Sequence, residues 1–229
     1  MRNLTLLLIV LFAFSCGKDT RNLTVNTHVK GLKKGTVYLQ KVEDSVYVTL
    51  DSAVVNGNEN FNLHATVNSP EVFFLRLDKN DNSNENLLFF AEPGVININT
   101  TLKNFVIDAK ITGSKNQEIL DDYQVMISRM NNKRLDLIKE EFEARQTGDS
   151  ALVNQTITNV NNLIKRRYLY TVNFAINHKD SEVAPYLALT EIYNANKKWL
   201  DTINASLTPK VKASKYGKAL QKYLDGLDN

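Results

Sequence analysis

Hydrophobic and polar residues alternate with a period of two from Leu23 to Thr112. Asn60-Phe61-Asn62-Leu63-His64-Ala65-Thr66-Val67-Asn68 alternates without error. Phe61, Leu63, Ala65 and Val67 therefore share one face of a strand, with polar residues on the other. The preceding Asn56-Gly57 pair predicts a hairpin turn joining this strand to Val46–Val55, because both residues tolerate positive φ. Further strands are predicted over Leu23–Val29, Val37–Val42, Val72–Leu77, Leu87–Ala91, Val95–Thr100 and Phe105–Thr112. The Gly31 to Gly35 stretch, Glu43-Asp44 and Pro93-Gly94 supply breaks between them. Phe73-Phe74-Leu75 and Leu87-Leu88-Phe89-Phe90 are apolar on both faces, which places them centrally or beneath the helices that follow. About eight short strands imply an antiparallel β-sandwich or an open barrel.

The period changes at Gly113-Ser114. Ser114 with Gln117 fits a capping box. Ile119, Tyr123, Met126, Ile127, Met130, Ile138 and Phe142 then recur at helical spacing. Thr147-Gly148-Asp149 ends this helix and caps the next, in which Leu152, Val153, Ile157, Val160, Ile164, Val172 and Ala175 carry the period to about His178. Two long helices joined by a glycine turn predict an antiparallel helical hairpin. Shorter helices follow. One runs from a Ser181 cap to Tyr193, one contains Trp199, Leu200, Ile203 and Leu207 and is interrupted at Thr208-Pro209, and the last ends at Gly226. The predicted class is α+β, with a β-sandwich domain over 22–112 and an α-helical region over 113–229.

The N-terminus carries a different pattern. Arg2, the apolar run Leu6 to Phe12 and Ala13-Phe14-Ser15 before Cys16 have the layout of a secretory signal. The apolar run is too short to span a bilayer. Cys16 is the single cysteine. Its position predicts a bacterial lipoprotein with a signal peptide over 1–15, cleavage before Cys16, lipidation on its sulfur, and an anchor and short linker over 16–21. Attachment follows from acyl-chain burial, at about 0.8 kcal/mol per methylene. The expected partners are therefore a membrane, through the lipid anchor, and a protein of the cell envelope, with the outer membrane as the expected location. Gly17-Lys18-Asp19 resembles part of a surface-export signal. One thiol forms no internal disulfide, and lipidation would leave none free for redox or nucleophilic chemistry. A net charge of +3 is too small for a nucleic-acid footprint.

Three stretches carry a family resemblance: Val29-Lys30-Gly31-Leu32-Lys33-Lys34-Gly35-Thr36-Val37-Tyr38-Leu39, Phe90-Ala91-Glu92-Pro93-Gly94 and Ile111-Thr112-Gly113-Ser114-Lys115-Asn116. They resemble a domain of unknown function found in Gram-negative envelope lipoproteins, which often precedes a thioredoxin-like domain of the thiol-disulfide interchange type. Ser214-Lys215-Tyr216-Gly217-Lys218-Ala219-Leu220 is similar to the helix leading into that domain. The sequence ends at Asn229, where such a domain would begin, and contains no Cys-x-x-Cys. The resemblance thus implies the fold and an envelope location, with no redox residue carried over.

Chemistry-bearing clusters are sparse. Asp78, Asn80 and Asn82 start like a calcium loop, but the sixth and twelfth positions hold Ser83 and Phe89 where an EF-hand wants Gly and Glu. His28, His64 and His178 lack zinc-ligand spacing. There is no Gly-x-Ser-x-Gly and no glycine-rich phosphate loop. Asp121-Asp122 and Glu140-Glu141-Glu143 read as solvated helix faces with local ion pairs. Lys165-Arg166-Arg167 with Tyr168 and Tyr170 reads first as a solvated helix face, and as the alternative a small basic–aromatic patch suited to a membrane surface or an acidic glycan. Asp44-Ser45-Val46, Asp51-Ser52-Ala53, Asp149-Ser150-Ala151 and Asp201-Thr202-Ile203 resemble acceptors of envelope O-glycosylation, at Ser45, Ser52, Ser150 and Thr202.

The leading expectation is a non-catalytic envelope lipoprotein acting as a binding or interaction module, with no metal, no cofactor and no catalytic residue. Two alternatives stay open. One is an accessory factor to a separate thioredoxin-like protein. The other is a glycan-binding component of nutrient uptake, using Tyr38 or Tyr47.

Overall fold

A computed structural model describes residues 21–78 and 85–227. Its strands are β1 (Leu23–Lys30), β2 (Lys34–Glu43), β3 (Val46–Asn56), β4 (Asn60–Ala65), β5 (Glu71–Asp78), β6 (Glu85–Ala91), β7 (Gly94–Thr101) and β8 (Lys110–Thr112). They form two four-stranded sheets, in the orders β4-β1-β7-β8 and β3-β2-β5-β6. We call these sheets A and B. Their inner faces share one core that includes Val25, Leu63 and Ile96 from sheet A and Leu39, Phe73 and Phe89 from sheet B.

The sheets do not close into a barrel, and the pairing is not wholly antiparallel. β1 and β7 run parallel, from Leu23 opposite Gly94 to Lys30 opposite Thr101. Strand alternation reports which face a residue takes and leaves its pairing partner open. The Asn56-Gly57 hairpin is also corrected. β3 pairs with β2 and β4 with β1, so the turn carries the chain from one sheet to the other. The β1–β2 connection claims its backbone. Gly57 N–H donates to the Lys33 carbonyl at 2.8 Å, Val29 N–H to the Glu59 carbonyl at 3.0 Å, and Gly31 N–H to Glu59 Oε1 at 2.8 Å. The tight hairpin lies instead between β2 and β3, where Asp44 and Ser45 take φ of 48° and 67°. β3 bulges at Leu50, opposite the step from Leu39 to Gln40. Of the predicted strand over Phe105–Thr112, only β8 forms. Phe105 is buried in a turn, and its carbonyl accepts from Thr100 Oγ1 at 2.7 Å.

The helices are α1 (Lys115–Thr147), α2 (Ser150–Asn177), α3 (Val183–Thr190), α4 (Lys197–Ser206), α5 (Pro209–Lys212) and α6 (Lys215–Leu227). Gly148 takes φ 72° after α1, and Asp149 Oδ1 accepts from Leu152 N–H at 2.9 Å to start α2. The capping box is half formed. Ser114 Oγ accepts from Gln117 N–H at 3.1 Å, but the Gln117 side chain turns to the sheet, where its Oε1 accepts from Phe90 N–H at 2.7 Å.

The outer face of sheet B is covered by helices. Val72 and Phe90 pack with Leu120, Tyr123 and Ile127 of α1 and with Val183 and Leu187 of α3. A polar link fastens the start of α1 to the end of β6. Glu92 Oε1 accepts from Lys115 N–H at 2.6 Å and Oε2 from Asn116 Nδ2 at 2.7 Å, and Ser181 Oγ donates to Asn116 Oδ1 at 2.7 Å. A third cluster, between α2 and α3 to α6, completes the helical layer.

Candidate functional site

The helical hairpin outgrows the layer that supports it. From 128 to 166 the buried side chains are Leu137, Ala144 and Thr156, which form the seam between α1 and α2. The rest of this stretch is a two-helix arm. Leu135, Ile138 and Phe142 recur at i, i+3 and i+7, so they line one stripe of α1, turned away from Leu137 and Ala144. They are 63%, 44% and 61% exposed.

A cleft of about 290 Å³ opens at the foot of the arm. α1 contributes Met130, Asn131 and Arg134. α2 contributes Leu163, Ile164, Arg167 and Tyr168, and the segment after α3 contributes Glu191 to Asn194. Arg167 Nη2 donates to Glu191 Oε2 at 2.5 Å, and Tyr168 Oη donates to Asn194 Oδ1 at 2.6 Å. These bonds tie α2 to the 191–194 segment and hold the wall in place. Arg134 makes no ion pair or hydrogen bond among the described residues. Tyr193 is 53% exposed. The cleft thus offers one uncommitted guanidinium, two phenol rings and an aliphatic floor, which suits binding.

Arg167 and Tyr168 of the basic–aromatic patch face this cleft, but the patch as a unit does not form. Tyr170 stacks on Tyr123 inside the helical layer, with ring centroids 5.8 Å apart, while Lys165 and Arg166 are exposed. Burial pushes the Tyr123 phenol up to about 12, against the hydrogen bond it shares with Thr171, which lowers it. Burial also raises Tyr170, Tyr186 and Tyr216. Asp121 is raised by burial, countered by the Gln117 amide that donates to it.

The other sequence candidates stay apart. Cys16, the signal over 1–15, and Asn80, Asn82 and Ser83 lie outside the described residues. Asp78 ends β5, and Phe89 is buried in the core. Among the described residues, no group of three His, Cys, Asp or Glu side chains could hold a metal. His178 stacks on Phe174 at 4.1 Å. Arg145 pairs with Glu141 at 2.6 Å and Lys139 with Glu143 at 3.8 Å, both on the arm. Ser45, Ser52, Ser150 and Thr202 are exposed. Tyr38 is half-buried on sheet B, and Tyr47 packs edge-on against Phe74 at 5.3 Å. No helix among the described residues is long and apolar enough to cross a membrane.

The outer face of sheet A has a composition that residue spacing alone does not single out. It carries aligned rows of asparagine, which bring His28 and His64 onto one surface. The signal was present as asparagine at alternate positions of β4 and β7, on either side of Asn26 in β1.

No curated protein matches the chain. Residues 23–120, from the first strand to the opening turns of α1, match the family described as a domain of unknown function, DUF4369, so a segment of that family is present.

Proposed function

We propose that this chain is a non-catalytic lipoprotein of the bacterial cell envelope, anchored through Cys16, whose helical arm binds a protein partner. The observation that supports the reading is the row Leu135, Ile138 and Phe142. Aliphatic and aromatic side chains aligned and exposed on a packed helix favour contact with a second apolar surface. Arg134 lies one turn before Ile138 and extends the surface into the cleft with a charged anchor. Burying one such side chain fully stabilises a complex by about 1.5–3 kcal/mol.

A photo-crosslinking residue placed at Ile138 in cells is expected to give one discrete adduct. Leu135→Asp with Phe142→Asp should abolish it while leaving the melting temperature unchanged. A wild-type arm that yields no adduct refutes the partner. The anchor is tested separately with a clickable fatty acid, which should label the protein and fail to label Cys16→Ser. Ser45, Ser52, Ser150 and Thr202 are proposed O-glycan acceptors, and an intact mass equal to peptide plus lipid would remove them.

A further inference from the structure

Sheet A presents to solvent a face built of neutral amides. Across the sheet, Asn62, Asn26, Asn97 and Thr112 fall in one register row, and Asn60, His28, Asn99 and Lys110 in the next. Each row crosses three strand-to-strand steps of about 4.8 Å, or about 14 Å in all. Between them lies a shallow hollow of about 420 Å³. Asparagine is depleted in strands, where β-branched and aromatic residues fit the pleat better. Its repeated use in three adjacent strands therefore works against local preference, and the groups it places there have a common chemistry.

The amides are aligned by mutual bonds. Asn26 Nδ2 donates to Asn97 Oδ1 at 2.9 Å, and His28 Nδ1 lies 3.0 Å from Asn60 Oδ1. An amide has two N–H donors and a carbonyl with two lone pairs, so each pair keeps both kinds of group for a ligand. Asn62 and Asn99 are exposed and make no side-chain hydrogen bond among the described residues. The chemistry selects the ligand. Lys110, at the rim, is the one charged side chain in the two rows, which removes the cationic track that a nucleic acid or polyanion needs. The rows contain no large apolar side chain, so they lack the buried anchor of a protein interface. A surface that both donates and accepts at regular spacing, without charge, matches an extended polymer of neutral hydroxyls.

We propose that the asparagine face of sheet A binds a neutral polysaccharide through hydrogen bonds to Asn26, Asn62, Asn97 and Asn99. This site lies on the opposite side of sheet A from the core that joins it to sheet B, and it is independent of the arm. Native electrophoresis of the full chain in mild detergent, through gels containing dextran, mannan, xylan or galactan, reads the interaction. Retardation is expected in at least one gel. Asn26→Thr with Asn97→Thr, which keeps residues suited to a strand, should weaken the apparent association about tenfold through two lost hydrogen bonds. Asn62→Thr or Asn99→Thr alone, at exposed positions, should weaken it severalfold and decides the question if the double variant fails to fold. Gln124→Ala, at an exposed position of α1, should bind as wild type. Unchanged mobility in all four gels overturns the proposal, as does equal retardation of wild type and the variants. Retardation confined to a dextran sulfate gel also overturns it, because charge would then be the cause.

Discussion

Gln117 is a side chain on which the joint between helices and sheet depends. Among the described residues, β6 is an edge strand of sheet B and pairs with β5 alone. Phe90 and Val72 face each other across this pair, and both N–H groups point outward from it. Helical side chains accept both. Gln117 Oε1 lies 2.7 Å from Phe90 N, and Tyr216 Oη lies 3.0 Å from Val72 N. Phe90 is fully buried and Gln117 is 4% exposed, so water does not replace the bond. Gln117→Leu keeps the bulk but supplies no acceptor. Leaving a buried N–H unsatisfied costs about 1–3 kcal/mol. The lost bond to Asp121 adds less, because that carboxylate is only partly buried and keeps contact with water. A loss of about 2 kcal/mol should lower Tm by about 4–8 °C in a chain of this size. Gln124→Leu, exposed on the same helix, should shift stability by no more than about 0.5 kcal/mol. Denaturant unfolding reads the total, and hydrogen exchange of the Phe90 amide reads the cause. If Gln117→Leu unfolds at the wild-type midpoint with Phe90 equally protected, the reasoning is wrong.

Three further outcomes follow from single features. Thr27 is 3% exposed and its Oγ1 has no partner among the described residues, so Thr27→Val should raise stability by about 1 kcal/mol in urea unfolding; a loss would show that the hydroxyl is satisfied. Gly113 takes φ of 97°, and a Cβ there would lie 2.2 Å from the Val95 carbonyl oxygen. Gly113→Ala should cost about 3 kcal/mol or more, and a change under about 1 kcal/mol contradicts the strain. Tyr123 titrates at about 12 in the folded chain, above the value of about 10 in an unfolded one, so folding favours the protonated phenol. Its contribution is complete below pH of about 10 and is lost as pH climbs through about 12. Phenolate absorbance should rise together with loss of structure in that window, and full ionisation before any unfolding would refute it.

The face assignments were legible because alternation decides them locally. Val25, Leu63 and Phe73 fall in the core where period two places them. The apolar doublets Phe73-Phe74 and Phe89-Phe90 are explained by helices over the outer face of sheet B. What depends on distant backbone was not legible. The parallel β1–β7 pair leaves no local mark, and Asn56-Gly57 lost its hairpin because Lys33, Val29 and Gly31 bond to that turn. The basic–aromatic patch failed for a geometric reason. Neighbouring helical residues point about 100° apart, so Lys165, Arg166 and Tyr170 leave the face that Arg167 and Tyr168 turn to the cleft. The cleft was hidden because its far wall comes from 191–194, beyond a separate helix.

Two of the three stretches that carry the family resemblance meet in space. Glu92 from the first accepts from Lys115 and Asn116 of the second, while Gly113 lets the chain pass close against Val95. These residues cap the first turn of α1 and fasten it to β6, so together they form a joint. The joint lies within residues 23–120 and sets the angle at which α1 leaves the sheets. The arm row from Leu135 to Phe142 and the cleft from Met130 to Asn194 lie beyond those residues. The asparagine rows lie within them, on the sheet that the joint leaves uncovered. The matched segment therefore supplies a platform with one face closed by helices and one face open. A partner held by the arm would reach the molecule from the helical side, so both surfaces could be occupied at once. Binding of the polysaccharide should then be unchanged by Leu135→Asp with Phe142→Asp, and competition between the two ligands would show that the surfaces are not separate.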